Sequence, residues 1–286
     1  MKPAAFRYHA PKTIDEAVTL LAEVAPEDGR ILAGGQSLVP TMAFRLAKPG
    51  HLVDINGVAA LKRLTVSGGK LCIGACVRHA AFHKPVCDGP LGKLLSYVVR
   101  YIAHFPIRNR GTFCGSLAYS DPSSEWCLIM AALDGELVAQ NSKGTRIIPA
   151  RDFFQGIMTT ALREDELLIE ARLPLLQADT RWGFYEFSRR AGDFAMAAAV
   201  GIYRLDAGGN IAEPRVAVGG VEPNPRRIPE AERALAGAAP GDKAFRAAAD
   251  AAMAAVDAME DALTSAEFRR DLVLAVTRRA LERAAA

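Results

Sequence analysis

Ile31-Leu-Ala-Gly-Gly-Gln-Ser-Leu38 is the segment whose residue types bear most directly on chemistry. A short apolar run ends in two glycines and passes into a helical pattern, so successive backbone amides face outward with no Cβ over them. Amides fanned in this way beside a helix N-terminus suit a phosphate or diphosphate. The spacing is neither GxGxxG nor GxxxxGK[ST], so the usual nucleotide fingerprints do not apply, and an ordinary tight turn is the competing reading. Asn109-Arg-Gly-Thr-Phe-Cys-Gly-Ser116 is a second small, polar stretch between apolar blocks. Two such loops could face each other across a single diphosphate; two unrelated surface turns is the alternative. Arg108, Arg110, Arg189 and Arg190 are either phosphate or subunit partners or solvated surface charge. His79, His83 and Cys87 have a helical ligand spacing that suggests zinc. Pro85 interrupts that helix and no fourth ligand is near, so no metal site is expected. No Gly-x-Ser-x-Gly elbow and no nucleophile–His–carboxylate set is evident.

The elements that must hold these loops are readable in outline. Thr13-Ile-Asp-Glu16 is a capping box, and Ala17, Val18, Leu20, Leu21 and Val24 give the helix after it an apolar face that ends at Pro26 and Gly29. Ile31-Leu32 is a short strand running into Gly34-Gly35. A helix over 39–46, a strand over 51–55, a hairpin over 64–77 with Ser-Gly-Gly at its tip, and a helix over 91–103 follow. Residues 104–120 read as a polar, glycine-containing stretch. Asp121-Pro122 reads as N-cap and first helical residue of another helix. Residues 136–148 and 167–173 look like strands. From about 177 the texture changes to antiparallel strands (185–187, 197–205, 215–218) and then to Ala-rich helices, the last opened by Thr264-Ser-Ala-Glu267. The reading is α+β, a larger unit over 1–176 and a smaller one over 177–286. Trp126 and Trp182 read as packing residues, and Cys72 and Cys76 as buried small hydrophobes on one strand face.

Composition narrows the class but no further. The chain has 286 residues, 50% hydrophobic and 23% charged, which is ample for a packed core and excludes a disordered or low-complexity polymer. A net charge of +3 is too balanced to argue for nucleic acid or anionic lipid. No apolar stretch is long enough to span a bilayer, and the first residues contain no signal-peptide core. Five scattered Cys fit reduced thiols and a cytoplasmic setting better than a disulfide framework.

Four blocks, in order and over nearly the whole chain, resemble the FAD-binding family of molybdopterin dehydrogenases, which includes the medium subunits of carbon monoxide dehydrogenase and related molybdenum hydroxylases. Ala33-Gly-Gly-Gln-Ser-Leu38 is similar to the family's first flavin loop. Ile107-Arg-Asn-Arg-Gly-Thr-Phe-Cys-Gly-Ser-Leu-Ala118 with Asp121-Pro-Ser-Ser-Glu125 is similar to its second. Ser188-Arg-Arg-Ala-Gly-Asp-Phe-Ala195 and Ser265-Ala-Glu-Phe-Arg-Arg270 match its C-terminal domain. The resemblance implies a two-subdomain FAD-binding domain of the vanillyl-alcohol oxidase (PCMH) type, followed by a smaller antiparallel-sheet-plus-helices domain. It implies that Ala33, Gly34, Gly35, Gln36, Ser37 and Leu38, with Thr112, Cys114, Gly115 and Ser116, hold the FAD diphosphate. Glu125 matches a cofactor contact. Ile102 stands at the place of an apolar flavin neighbour, and Leu168 or Ile169 would pack on the ring system. Tyr185 aligns with a residue near the isoalloxazine face, where stacking would shield one side; read without the resemblance it is a sheet aromatic in a core.

Cys114 departs from the family's Gly-Gly. A Cβ there would force the loop to adjust if the position needed a positive φ, and a thiol beside a flavin raises the question of reactivity; a small side chain at negative φ is the competing reading. The activity implied is that of an oxidoreductase subunit with no catalytic acid or base of its own. It would take electrons from [2Fe–2S] clusters on a small partner, with molybdopterin on a large one, and pass them to an external electron acceptor. A stand-alone flavin oxidoreductase of the same fold and a cofactor-free assembly protein are the alternatives, Cys114 lending weight to the latter.

Overall fold

A computed structural model describes residues 2–262 and 264–286. The chain begins with a small parallel sheet, ordered β1-β3-β2, built from β1 (Arg7–His9), β2 (Gly29–Leu32) and β3 (His51–Asp54). Helix α1 (Ile14–Val24) covers it, burying Ala17, Val18, Leu21 and Val24. Thr13 caps α1 by accepting from the Glu16 amide at 3.1 Å, while the Glu16 carboxylate reaches back to the Lys12 N–H at 2.7 Å. The short helix α2 (Leu38–Ala43) continues directly from the glycine turn after β2.

An antiparallel five-stranded sheet follows. Its order is β4-β5-β10-β6-β7, from β4 (Leu64–Ser67), β5 (Lys70–Gly74), β6 (Glu136–Asn141), β7 (Gly144–Pro149) and β10 (Leu167–Pro174), with a two-stranded ribbon of β8 (Phe154–Gly156) and β9 (Thr159–Thr160) beside it. Between β5 and β6 run α3 (Gly89–Val98), α4 (Phe105–Arg108), α5 (Phe113–Tyr119) and α6 (Glu125–Ala132), and α7 (Ala150–Phe153) follows β7. The stretch read from sequence as polar and glycine-containing, 104–120, is thus largely two short helices. Asp121 does not open α6 as expected. Its carboxylate accepts from the Ser123 amide at 2.9 Å to make a turn, and Ser124 is the cap.

The C-terminal sheet is antiparallel, β11 (Arg181–Phe187), β12 (Ala197–Leu205), β13 (Ile211–Gly219) and β14 (Arg226–Arg227) in order. Helices α8 (Pro229–Leu235), α9 (Asp242–Ala255) and α10 (Ala266–Ala285) lie on one face. Ser265, not Thr264, caps α10, accepting from the Phe268 amide at 3.2 Å. Strand alternation divides this sheet between two cores. Ala197, Ala199, Tyr203, Val216 and Val218 pack under α8–α10. Phe184, Ala198, Val200, Ile202 and Ala217 join the core of the preceding sheet. Helix α6 lies in that junction with Trp126 through Ala132 all buried, which is why EWCLIMAA carries no polar stripe.

Candidate functional site

The two glycine loops meet. Gly34 is buried, and a Cβ on it would lie 2.6 Å from the Cα of Gly111 and collide with the carbonyl oxygen of Arg110. Only glycine permits that approach. Gly35 turns the chain with φ +72, a left-handed conformation in which successive amides point to one side. The Val39 and Thr41 amides start α2 by donating to Gly35 and Ser37 carbonyls at 3.0 and 3.2 Å. Among the described residues, none accepts from the amides of Gly35, Gln36, Ser37 or Leu38. The Gln36 side chain turns back to the Gly34 carbonyl at 3.2 Å.

A polar clamp fixes the pair of loops from behind. Asn56 donates to the Ala33 carbonyl at 2.7 Å and to Asp54 at 2.6 Å. Arg78 donates to Asn56 Oδ1 at 2.5 Å and also to the Arg110 carbonyl. The segment around Arg78 pairs with the second loop as a strand would: His79 N–H to Gly111 O and Phe113 N–H to Val77 O, both 3.0 Å. Nothing in the sequence reading marked Asn56 or Arg78, since single polar residues at a turn and in a strand-like run carry no spacing signal.

Thr112 is the N-cap of α5, its hydroxyl accepting from the Gly115 amide at 3.1 Å. A Cβ on Gly115 would lie 2.5 Å from that hydroxyl oxygen, so glycine keeps the cap tight. Cys114 sits inside α5 at helical, negative φ, and its side chain enters the core, Sγ lying 3.5 Å from the Ile73 carbonyl. The loop therefore makes no adjustment for the Cβ. Burial pushes the thiol well above its ordinary range, which leaves it un-ionised and unreactive. The case that Cys114 made for a cofactor-free protein disappears with this placement.

Other expected residues are distributed unevenly. Ile102 is buried, and its carbonyl and that of Ala103 are both held by Arg108 at 2.8 Å, so Arg108 is an internal clamp rather than a free phosphate ligand. Leu168 is buried; the bulge between Leu168 and Glu170 swings half-buried Ile169 out of register, and its carbonyl accepts from the Ala75 amide at 3.0 Å. Ala75 leads straight into the segment paired with the second loop. Glu125 opens α6, and burial lifts its carboxyl to about 7, Asp121 adding to the rise. His79 is buried and accepts from Trp126 Nε1 at 2.9 Å; among the described residues no three potential metal ligands cluster.

Tyr185 requires a correction. It shares the α10 face of the sheet with Gly183, and its ring packs against the guanidinium groups of Arg279 and Arg283, 4.9 and 4.6 Å from the centroid. The ring is engaged by arginines rather than turned toward the loops. Phe194, which the sequence reading passed over, is 75% exposed. It lies between Gly192, packed on the His104 ring, and Ala195, whose carbonyl accepts from Ser123 at 2.9 Å. That places it at the rim shared by the second loop's flanks.

Comparison with known proteins gives the same frame. The model of the FAD binding domain in molybdopterin dehydrogenase matches residues 4–176, and that of the CO dehydrogenase flavoprotein C-terminal domain matches residues 182–284. The nicotine 6-hydroxylase medium subunit of Paenarthrobacter nicotinovorans is 37% identical over 100% of this chain and 99% of its own. The carbon monoxide dehydrogenase medium chain of Hydrogenophaga pseudoflava is 34% identical over 99% and 98%. Among solved structures, carbon monoxide dehydrogenase from the same organism superposes with a TM-score of 0.94 at 36% identity, covering 99% of this chain and 98% of that one. Quinoline 2-oxidoreductase from Pseudomonas putida 86 does so with a TM-score of 0.92 at 34% identity, covering 100% and 99%.

Proposed function

This chain belongs to the family of FAD-binding subunits of molybdopterin dehydrogenases, and from that premise we propose that it is the electron-exit subunit of a cytoplasmic molybdenum hydroxylase. In this reading a large partner carries molybdopterin and a small partner carries [2Fe–2S] clusters. Electrons reach the FAD held here and leave to an external acceptor.

The observation that supports the reading is the contact of Gly34 with Arg110–Gly111, which joins two amide-rich turns into one cradle. A Cβ at Gly34 would collide with the Arg110 carbonyl and push the two turns apart, and among the described residues none accepts from four amides of the first turn. Both features fit a diphosphate. Ala33 to Leu38 would hold it from one side and Thr112 to Ser116 from the other, with Cys114 contributing only its backbone amide. FAD, when bound, supplies the electron-carrying ring. The chain's own residues do the rest. Asn56 and Arg78 keep the turns at their spacing, Thr112 and Gly115 orient the α5 amides, and Ile169 offers an apolar surface. Phe194, rather than Tyr185, is the aromatic free to cover a ring and limit water there.

Replacing Gly34 with Val tests the cradle. The expected result is a protein with unchanged far-UV circular dichroism that retains less than about a tenth of the wild-type FAD, as expected for about 1.4 kcal/mol or more of lost binding free energy. Full FAD stoichiometry in that variant would remove the cradle from the argument. Co-purification with a molybdopterin chain and an iron–sulfur chain tests the subunit role separately.

A further inference from the structure

The parallel sheet β1-β3-β2 is covered unequally. Val53 of β3 packs with α1 into the first core, so strand alternation turns its neighbour Leu52 to the opposite face. Tyr8 and Arg30 stand in register with Leu52 and share that face. Leu52 and Met42 of α2 are buried, yet neither belongs to either core. Around them Phe6, Tyr8, Val39, Phe44 and Leu46 are exposed, Phe44 at 69% and Leu46 at 82%. They are not scattered. The Arg7 N–H donates to the Gly50 carbonyl at 2.8 Å and Arg45 Nε to the Lys2 carbonyl at 3.4 Å, which lays the N-terminal segment along the chain that leaves α2. Single apolar side chains on a surface need no explanation, but a cluster of this kind marks a contact surface.

The turn that presents Phe44 and Leu46 is held under strain. Arg45 adopts φ +58, a left-handed conformation that glycine takes without cost. The Leu46 and Ala47 amides both donate to the Thr41 carbonyl, at 2.9 and 3.3 Å, and fix the turn. A strained arginine in place of glycine is a functional signal. Its charge is shared by its surroundings. Between residues 29 and 53 the cations are Arg30, Arg45 and Lys48 and no Asp or Glu occurs; residues 1–14 add Lys2, Arg7 and Lys12, again with no acid. The carboxylates that border the sheet are engaged, Glu27 with His51, Asp28 with Arg30 and Asp54 with the Tyr8 hydroxyl.

We propose that this face, centred on Phe44 and Leu46 and rimmed by Arg7, Arg45 and Lys48, is the docking surface for the [2Fe–2S] chain, which meets it with an apolar centre and an acidic rim. The inference rests on the subunit reading above and adds where that partner sits. Aromatic and arginine side chains around an apolar centre are the composition of a desolvated protein contact. A second copy of this chain is the wrong occupant, because a symmetric contact would set these cations against cations alone. Helix α2 continues directly from the Gly35 turn, so a chain seated on it lies beside the cradle. Of the two partners, the electron donor is the one that has to lie there, since electron transfer between cofactors weakens steeply with distance.

The test is calorimetric titration of the full FAD-loaded chain with its purified [2Fe–2S] partner chain at low and high salt. Wild-type affinity is expected to fall as salt rises. F44E/L46E is expected to weaken binding by about 30-fold or more, as for the loss of central anchors. K48E is expected to weaken it less and to flatten the salt dependence. I157E, at an equally open apolar residue on the turn between β8 and β9, is expected to change nothing. FAD content and urea midpoints are expected to match wild type in all three variants, because the replaced side chains are exposed. Irradiated Phe44→p-benzoylphenylalanine is expected to cross-link to a peptide of the [2Fe–2S] chain. Equal affinities for wild type and F44E/L46E would overturn the inference. So would a cross-link to the molybdopterin chain or to a second copy, or a variant that loses binding only to phosphatidylserine vesicles. A wild-type chain that holds FAD but binds no cluster-carrying chain would instead overturn the subunit reading itself.

Discussion

At Cys114 and His79 the side chains face away from the cradle while their backbone helps to form it. Cys114→Gly restores the glycine pair of the family pattern but removes a buried thiol and places glycine inside α5. The expected outcome is unchanged FAD affinity with about 1 kcal/mol or more of lost stability, checked by fluorescence titration and urea unfolding. In the native protein the Cys114 thiol should stay inert toward a thiol reagent until denaturant is added. His79 is held neutral, its conjugate acid pushed down to about 3 by burial, with Arg78 and Arg108 adding to the effect. The unfolded chain binds a proton near the ordinary histidine value and the folded one does not. Stability should therefore be complete above about pH 6.5 and fall as pH drops toward 3, by at most about 1.4 kcal/mol per unit. Urea midpoints at pH 7, 6 and 5 compared with His79→Gln test this; parallel curves would mean that His79 does not set the slope.

Short helices do most of the positioning, and they are also where the sequence was hardest to read. The glycine turn after β2 was legible because two adjacent glycines between a strand and a helix have few other uses. Thr112 was legible only through resemblance, because α4 and α5 are too short for apolar periodicity to rise above the polar residues between them. Asp121-Pro122 offered a good helix start, yet the Asp121 carboxylate found a nearer amide at Ser123 and left the cap to Ser124. Buried Glu186 on β11 escaped notice because a charged residue in an alternating strand reads as solvent-facing, and both faces of the C-terminal sheet turn out to be covered. Tyr185 was mistaken for the same reason: one-sequence alternation cannot tell which covered face leads to the cofactor. Thr112→Ala should cost about 1 kcal/mol through the lost cap. It should also weaken FAD binding more than stability alone explains, because the amides after it lose their orientation; equal loss in the presence and absence of FAD would argue against that.

Across the whole molecule the two sequence units do not part cleanly. Helix α6 is buried from both sides, and half of the C-terminal sheet's side chains belong to the first core. Residues 1–176 expressed alone should expose that face and self-associate or lack sharp amide resonances, which size-exclusion chromatography and NMR would reveal; a monomeric, well-dispersed fragment would show that the junction is dispensable. FAD at about 100 times its Kd should add about 2.7 kcal/mol to the unfolding free energy of the full chain if binding requires the folded cradle. The clamp of Asn56 and Arg78 draws together turns from distant parts of the chain, and the core floor that α5 enters through Phe113, Cys114 and Leu117 also takes in Phe184, Ala198, Val200, Ile202 and Ala217 of the C-terminal sheet. A chain still emerging from the ribosome has both glycine turns long before it has the floor that steadies them. Cofactor capture is thus expected to follow synthesis of the C-terminal sheet, and FAD retention by a chain ending at residue 176 would contradict this.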